Sequence, residues 1–126
     1  MSDFDLMINS LKTEMLKILD SKIYNIVEVE KNHDIHVVPG VYLILRPETN
    51  WIVYVGKTRT GTISNRMHQH LHMKGGWDLQ MMLKKHPDYP QDKTTYRVQY
   101  LEEQDNRKRY FLENFIVSVL QPPFNG

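Results

Sequence analysis

The spacing of apolar residues along the chain predicts several helices. Between residues 4 and 20, apolar side chains recur every three or four positions with charged side chains between them, which is typical of an amphipathic helix. The same periodicity predicts helices from residue 62 or 63 to 73, ahead of Gly75-Gly76, and over residues 78–85. A last helix is predicted over residues 106–120, and its second half is so apolar that we expect it to be buried.

Other segments have the composition of strands. Two runs of β-branched and aromatic residues, 41–45 and 51–55, predict a β-hairpin. Both runs are almost continuously apolar, so we expect both faces of the hairpin to be covered. Residues 94–101 alternate between apolar and polar, which predicts a third strand. A further short strand is predicted over residues 24–29, followed by a turn at 31–34.

The order of these elements indicates the fold class. It predicts an α+β fold with a small, mostly antiparallel central sheet of about three strands, flanked by helices. A chain of 126 residues suits a single domain. We expect residues 1–34 to form an N-terminal helical extension that packs on the same domain. Residues 35–126 then form the main domain.

Composition excludes several classes of protein. The sequence has no cysteine, which excludes disulfides and thiolate zinc sites. It has no apolar run long enough to span a bilayer, and its N-terminus is acidic, unlike that of a secretion signal. We therefore expect a cytoplasmic, intracellular protein without a membrane partner.

Charge is unevenly distributed, although the formal net charge is only +1. Residues 1–34 contain seven acidic residues and four lysines, whereas residues 50–76 contain no acidic residue. The basic residues of that second segment are Lys57, Arg59, Arg66 and Lys74. Such a local basic patch favours a site for an anionic ligand, but a solvated charged face is an equally good interpretation of charge alone.

Two tripeptides on the predicted hairpin carry a resemblance to a known family. Gly40-Val41-Tyr42 begins one strand and Tyr54-Val55-Gly56 ends the next. This arrangement resembles the GIY-YIG endonuclease superfamily, which is named after these tripeptides. Polar landmarks follow in the family's order between residues 39 and 125: Lys57, Arg66, His70, Glu113 and Asn125.

The resemblance implies an endonuclease that hydrolyses phosphodiester bonds, with DNA as the substrate and double-stranded DNA favoured. It implies a one-metal mechanism in which Glu113 binds a divalent cation, Mg²⁺ with Mn²⁺ as a substitute. Arg66 would hold the scissile phosphate through its planar guanidinium. Tyr42 would be the general base, which requires nearby positive charge to lower a pKa that is near 10 in a free tyrosine.

Supporting roles are implied for the remaining landmarks. Lys57 would supply positive charge, and Tyr54 would share the hydrogen-bond network of the base. His70 lies one helical turn after Arg66 and therefore on the same face. Asn125 would tie the C-terminal tail to the hairpin and support the geometry of the site. Further substrate-binding positions are Gly56, Arg59 and Lys74.

The alternation His68-x-His70-x-His72 invites a metal-binding interpretation. Residues two apart on a helix point in different directions, so we reject a site made of all three histidines. His70 alone is retained as a site residue.

Alternatives remain at this point. Glu113 lies within an apolar helix, where a carboxylate either has a ligand or faces outward. The main alternative function is a catalytically silent nucleic-acid-binding module of the same fold, and a further one is an interaction domain in which the tripeptides are coincidental. An active enzyme would be of the restriction, phage or repair type, and a homodimer is one way for it to gain specificity.

Overall fold

The structure, a computed structural model, describes residues 2–32, 34–72 and 78–126. Its helices are α1 (Asp3–Leu19), α2 (Ile26–Lys31), α3 (Ile63–His72), α4 (Leu79–Lys85) and α5 (Asn106–Leu120). Its strands are β1 (Tyr24–Asn25), β2 (Gly40–Leu45), β3 (Ile52–Lys57) and β4 (Arg97–Glu102). Short 3₁₀ turns cover Lys93–Thr95 and Pro123–Asn125. The predicted α+β class is confirmed, with four strands in place of about three.

The sheet is antiparallel throughout, with the strand order β1-β4-β2-β3. The predicted hairpin is formed by β2 and β3, and β2 also pairs with β4 on its other side. All six residues of β2 are buried. This central position explains the continuous apolar run, because neither face nor edge of β2 meets solvent.

Each face of the sheet carries its own hydrophobic core. One core lies beneath α2, α3 and α4 and includes Tyr42, Ile44 and Phe124. The opposite core lies beneath α1 and α5 and contains Val41 and Leu43 of β2. Neighbouring residues of β2 point to opposite cores. The side chain of Tyr42 therefore lies in the core beneath α3.

Two predicted elements differ from the structure. The strand predicted over residues 24–29 is limited to Tyr24–Asn25, and the helix Ile26–Lys31 follows directly. The side-chain oxygen of Asn25 accepts hydrogen bonds from the backbone N–H groups of Val27 and Glu28, so it caps the helix. The helix also replaces the start of the turn predicted at 31–34. β-branched composition therefore predicted the wrong element here, because the cap outweighs propensity.

Helix α5 has the predicted bounds, but it is not buried all round. Arg109, Leu112 and Ile116 face the core, whereas Ser118 and Val119 in the second half are exposed, Val119 by 51%. The expectation of a fully buried second half is therefore wrong. A helix that lies on one face of a sheet buries a single stripe of side chains.

The third strand begins at Arg97 because Asp92 caps a 3₁₀ turn before it. The predicted end of α3, with Met73, Lys74 and Gly75-Gly76, lies outside the described residues, as does Trp77. Within the described ranges, every helix is too short or too polar to cross a lipid bilayer.

Helix α1 contacts the core through Met15 and Ile18, while Phe4 and Leu6 near its start are exposed. The division into residues 1–34 and 35–126 stays a prediction.

The outer edge of β3 is covered by the C-terminal turn. The Oδ1 atom of Asn125 accepts a hydrogen bond of 2.8 Å from the backbone N–H of Val55, and its Nδ2 donates one of 2.8 Å to the carbonyl of Val55. The amide group thus makes the two bonds that a neighbouring strand would make. It protects an edge strand that would otherwise expose unpaired backbone groups.

We expect Asn125→Ala to lower the free energy of unfolding by about 1–3 kcal/mol, because both backbone groups of Val55 lose their partner. Denaturant unfolding followed by circular dichroism measures this change. The matched control is Asn114→Ala, at an exposed position of α5, which should leave stability within about 0.5 kcal/mol of the parent. Equal stability of the parent and Asn125→Ala proteins would contradict the bridging role.

Candidate active site

A cleft of about 630 Å³ opens between the end of β3, the loop that follows it, α3 and α5. Six of the residues predicted from the sequence line it: Tyr54, Lys57, Arg59, Arg66, Glu113 and Asn125. Tyr42, His70 and Gly56 are buried and are not among its lining residues. Lys74 lies outside the described residues. The fold thus gathers most of the predicted positions on one concave surface.

Tyr42 and His70 form a buried pair behind the wall of the cleft. The phenol oxygen of Tyr42 lies 2.8 Å from Nε2 of His70, and neither residue is exposed. Burial raises the pKa of Tyr42 well above its ordinary value and lowers the pKa of His70 well below 6.5. Tyr42 is therefore a neutral phenol and His70 a neutral imidazole at pH 7.

The second nitrogen of His70 indicates how the pair is protonated. In the described part of the structure, Nδ1 is buried without a hydrogen-bond partner. A neutral imidazole carries a single N–H. If the proton is on Nε2, the N–H donates to Tyr42; if it is on Nδ1, a buried N–H has no acceptor. We therefore assign the proton to Nε2, so that His70 donates to Tyr42 and the Tyr42 hydroxyl is free to donate in turn.

Tyr54 lies beside this pair and lines the cleft. Its ring centroid lies 6.2 Å from that of Tyr42 and 5.8 Å from that of His70. Burial raises the pKa of Tyr54, while the charge of Arg66 and hydrogen bonds from Arg66 and Tyr42 act in the opposite direction. Arg66 therefore acts on both phenols, and Tyr54 is the one that lines the cleft.

Arg66 stands at the junction of these groups. It lies on α3, one turn before His70, and its Nη1 donates to Oε1 of Gln69 at 3.0 Å. Its positive charge partly offsets the effect of burial on the pKa values of both tyrosines. The guanidinium thus links the buried phenols to the cleft, where it is accessible to an anion.

Glu113 faces the cleft, which excludes the outward orientation left open by the sequence. Its Oε1 atom accepts a hydrogen bond of 3.1 Å from Nζ of Lys57. The two side chains are only 20% and 15% exposed, so the carboxylate is partly desolvated and has one ammonium partner. The Lys57 ammonium also lies 5.3 Å from the centre of the Tyr110 ring.

Gly56 has a packing function that the sequence did not predict. It lies directly opposite Tyr42 in the pairing of β2 with β3. A Cβ atom at this position would collide with the phenol of Tyr42 and with the ring of Tyr54. Glycine thus leaves the space in which the Tyr42 hydroxyl reaches His70.

Arg109 is a buried residue of α5 that the sequence analysis did not single out. It is 5% exposed, and its guanidinium donates to the carbonyl oxygens of Thr58 and Arg59 at 3.0 and 3.1 Å. Its other acceptors are the carbonyl oxygens of Glu103 and Gln104 and Oδ1 of Asn106.

These bonds fix the loop that begins with Thr58 and Arg59 and forms one wall of the cleft. Because Arg109 shares a helical face with Leu112 and Ile116, helical periodicity was the pattern that could have identified it.

Stability should fall as the pH drops below about 6.5, because His70 is buried as a neutral group. The unfolded chain takes up a proton near pH 6.5, whereas folded His70 does so only at a lower pH. Between these two values stability is lost with falling pH, by at most about 1.4 kcal/mol per pH unit from this residue.

The measurement is the difference in unfolding free energy between the parent and His70→Gln, taken from pH 8 to pH 5 in the presence of a chelator. The contributions of other titrating groups, including buried His36, cancel in this difference. We expect the difference to shrink as the pH falls. A difference independent of pH would contradict a neutral, buried His70.

Known proteins resemble this chain in structure and not detectably in sequence. No family model matches the sequence, and no curated protein matches it. The GIY-YIG N-terminal endonuclease domain of UvrC from Thermotoga maritima, bound to its catalytic divalent cation magnesium, superimposes with a TM-score of 0.51. The two are 17% identical, over 90% of this chain and 97% of that domain.

Two point mutants of the same Thermotoga maritima domain, each bound to its catalytic divalent cation, give TM-scores of 0.52. They are 17% and 16% identical to this chain, and each match covers 79% of this chain and 96% of the domain. The fold of this chain is therefore that of the GIY-YIG endonuclease domain. The resemblance predicted from the two tripeptides is confirmed in the fold.

Proposed function

We propose that this domain with the GIY-YIG fold is a divalent-cation-dependent endonuclease that hydrolyses phosphodiester bonds in DNA, preferentially double-stranded DNA. The observation that carries the proposal is the convergence of Glu113, Arg66 and Tyr54 on one cleft. A carboxylate can hold a cation, a guanidinium can bind the phosphate and a phenol can take the proton of water, and these are the functions that phosphodiester hydrolysis needs. The similar fold of a domain that binds a catalytic divalent cation supports the same conclusion.

The residues of the cleft fit a hydrated magnesium ion held by Glu113. Its carboxylate is partly buried, has Lys57 as an ionic partner and offers hard oxygen ligands to the cleft. Mg²⁺ keeps several water ligands and is commonly held by one or two carboxylates, so a single glutamate suffices. When bound, the cation supplies positive charge and Lewis acidity at the phosphate; Mn²⁺ is the expected substitute.

Arg66 and Lys57 are proposed to bind the scissile phosphate. Arg66 presents a planar fork that can donate two parallel hydrogen bonds to phosphate oxygens. Lys57 neutralises Glu113 and lies in the same cleft, so it can also contact the phosphate. Arg59 is exposed on the cleft wall and extends the positive surface toward the flanking nucleotide.

The two tyrosines are proposed to act as a pair in moving the proton of the attacking water. The sequence assigned the general base to Tyr42, but its complete burial favours Tyr54 for direct contact with water. Tyr54 acts in its phenolate form, which Tyr42, oriented by His70, stabilises by donating a hydrogen bond to it. Arg66 stabilises the same negative charge. The phenolate takes the proton of the attacking water and becomes a neutral phenol.

The reaction is a single in-line displacement. The water oxygen attacks phosphorus, the bond from phosphorus to the 3′ oxygen breaks, and the configuration at phosphorus inverts. The 3′ oxygen leaves as an alkoxide and takes up a proton from solvent water, so the products are a 5′ phosphate and a 3′ hydroxyl. This is the one-metal mechanism implied by the family resemblance, with restriction, phage or repair enzymes as the corresponding biological types.

A nicking assay on supercoiled plasmid tests the function. We expect cleavage that requires Mg²⁺ or Mn²⁺, stops with EDTA, and falls by at least about a hundredfold in Glu113→Gln and in Arg66→Ala. The matched controls are Glu28→Gln and Arg107→Ala, two exposed positions that do not line the cleft. A purified, folded parent protein that cleaves neither plasmid, single-stranded DNA nor RNA would overturn the proposal in favour of a silent binding module.

The dependence of rate on pH tests the tyrosine pair. Because the pKa of Tyr54 is raised, the deprotonated fraction increases with pH through the neutral range, so the single-turnover rate should rise with pH. Tyr54→Phe should remove this rise and lower the rate by about 10²–10⁴. Tyr42→Phe should lower the rate while keeping a pH-dependent profile. If the rate of Tyr54→Phe still rises with pH and that of Tyr42→Phe does not, Tyr42 is the general base and the proposed role of Tyr54 is wrong.

A further inference from the structure

A second cluster of polar side chains lies where α2 packs against α3. Oε1 of Glu30 lies 3.1 Å from Nδ1 of His68 and 2.9 Å from Nε2 of His72. The side chain of Glu30 is only 12% exposed, whereas those of His68 and His72 are 59% and 55% exposed. None of the three lines the cleft that contains Glu113.

The cluster differs from the three-histidine site rejected on sequence grounds. His70 points into the core and bonds to Tyr42, as helical geometry requires for a residue between the other two. His68 and His72 are four residues apart and share the opposite face, with ring centroids 4.7 Å apart. The third member comes from α2, 38 residues from His68 along the chain, so no local motif could have revealed it.

We propose that Glu30, His68 and His72 form a binding site for a divalent transition-metal cation of the zinc class. Two imidazole nitrogens and one carboxylate oxygen are ligands that Zn²⁺ accepts, and three protein ligands leave a fourth position for water. At bond lengths of about 2.0–2.1 Å, tetrahedral ligand atoms lie about 3.3 Å apart. The ligand atoms of the cluster lie within 4.8 Å of one another, so small rotations of the exposed rings are sufficient.

A hydrogen bond holds the backbone of Glu30 against α3. The carbonyl oxygen of Glu30 accepts a hydrogen bond of 3.2 Å from the hydroxyl of Ser64, which is buried in the first turn of α3. The carboxylate is thus held over the helix that carries both histidines. A surface hollow of about 430 Å³, lined in part by Glu30 and His68, gives a hydrated ion access.

Occupation of this site would join α2 to α3. Because α3 also carries Arg66 and His70, a cation bound there would stabilise the helix that forms one wall of the cleft. The site does not depend on the proposed nuclease function, because its ligands are separate from those of the cleft.

Titration calorimetry with Zn²⁺ tests the proposal, with millimolar Mg²⁺ present throughout. We expect one Zn²⁺ per chain for the parent protein. Affinity should fall at least roughly tenfold in each of Glu30→Gln, His68→Ala and His72→Ala, because each removes one of three ligands. The matched control is Glu28→Gln, which removes the same charge from the exposed side of α2 and should bind as the parent does.

Thermal unfolding provides a second readout. Because His68 and His72 are exposed, their variants should fold even if Glu30→Gln folds poorly. Zn²⁺ at about a hundredfold excess over its dissociation constant should raise the Tm of the parent by on the order of 10 °C, and this rise should be lost in His72→Ala. Retention of binding in Glu113→Gln separates this site from the cleft. The absence of Zn²⁺ binding by the parent, or binding that is lost in Glu113→Gln but unchanged in His68→Ala and His72→Ala, would overturn the proposal.

Discussion

The hydrogen bond between Tyr42 and His70 is the interaction on which the arrangement of the site depends. Tyr42 lies on a strand whose residues are all buried, so its hydroxyl needs a partner inside the protein. The partner comes from α3, and the bond therefore sets how α3 lies over the sheet. Arg66, one turn earlier on the same helix, is brought to the cleft by the same placement. Gly56 leaves the space that this contact occupies.

Two further residues, Arg109 and Asn125, hold the walls of the cleft in place through hydrogen bonds to the backbone. Arg109 binds the carbonyl oxygens of the loop after β3, and Asn125 pairs with the backbone of Val55 on β3 itself. Both donate to, or accept from, backbone atoms, so they fix main-chain positions more directly than packing does. The site is thus built on a strand and two helices whose relative positions are each set by polar contacts.

The sequence predicted the elements that have strong local patterns. The hairpin followed from two continuous apolar runs, and α5 followed from its length and its breaking residues Gln121-Pro122-Pro123. It failed at residues 26–31, where β-branched residues form a helix because Asn25 caps it. Propensity describes single residues, whereas a cap depends on the geometry of the turn.

The sequence predicted only some of the residues that line the cleft, because it gives their order along the chain and not their depth in the fold. The tripeptides, Arg66 and Glu113 were found because the family resemblance gave their order along the chain. That order contains no information on depth, so it did not distinguish Tyr54 on the cleft wall from Tyr42 behind it. Nor did it reveal Arg109 or the grouping of Glu30 with two histidines, since those contacts join distant segments.

We propose that Glu113 holds the divalent cation of a phosphodiesterase cleft. Anomalous diffraction from crystals grown with Mn²⁺ and a short, non-cleavable DNA duplex tests it most directly. We expect a manganese peak at a coordinating distance of roughly 2 Å from the Glu113 carboxylate, with a phosphate oxygen as a further ligand. Duplex bound in the cleft with no manganese beside Glu113 would contradict it.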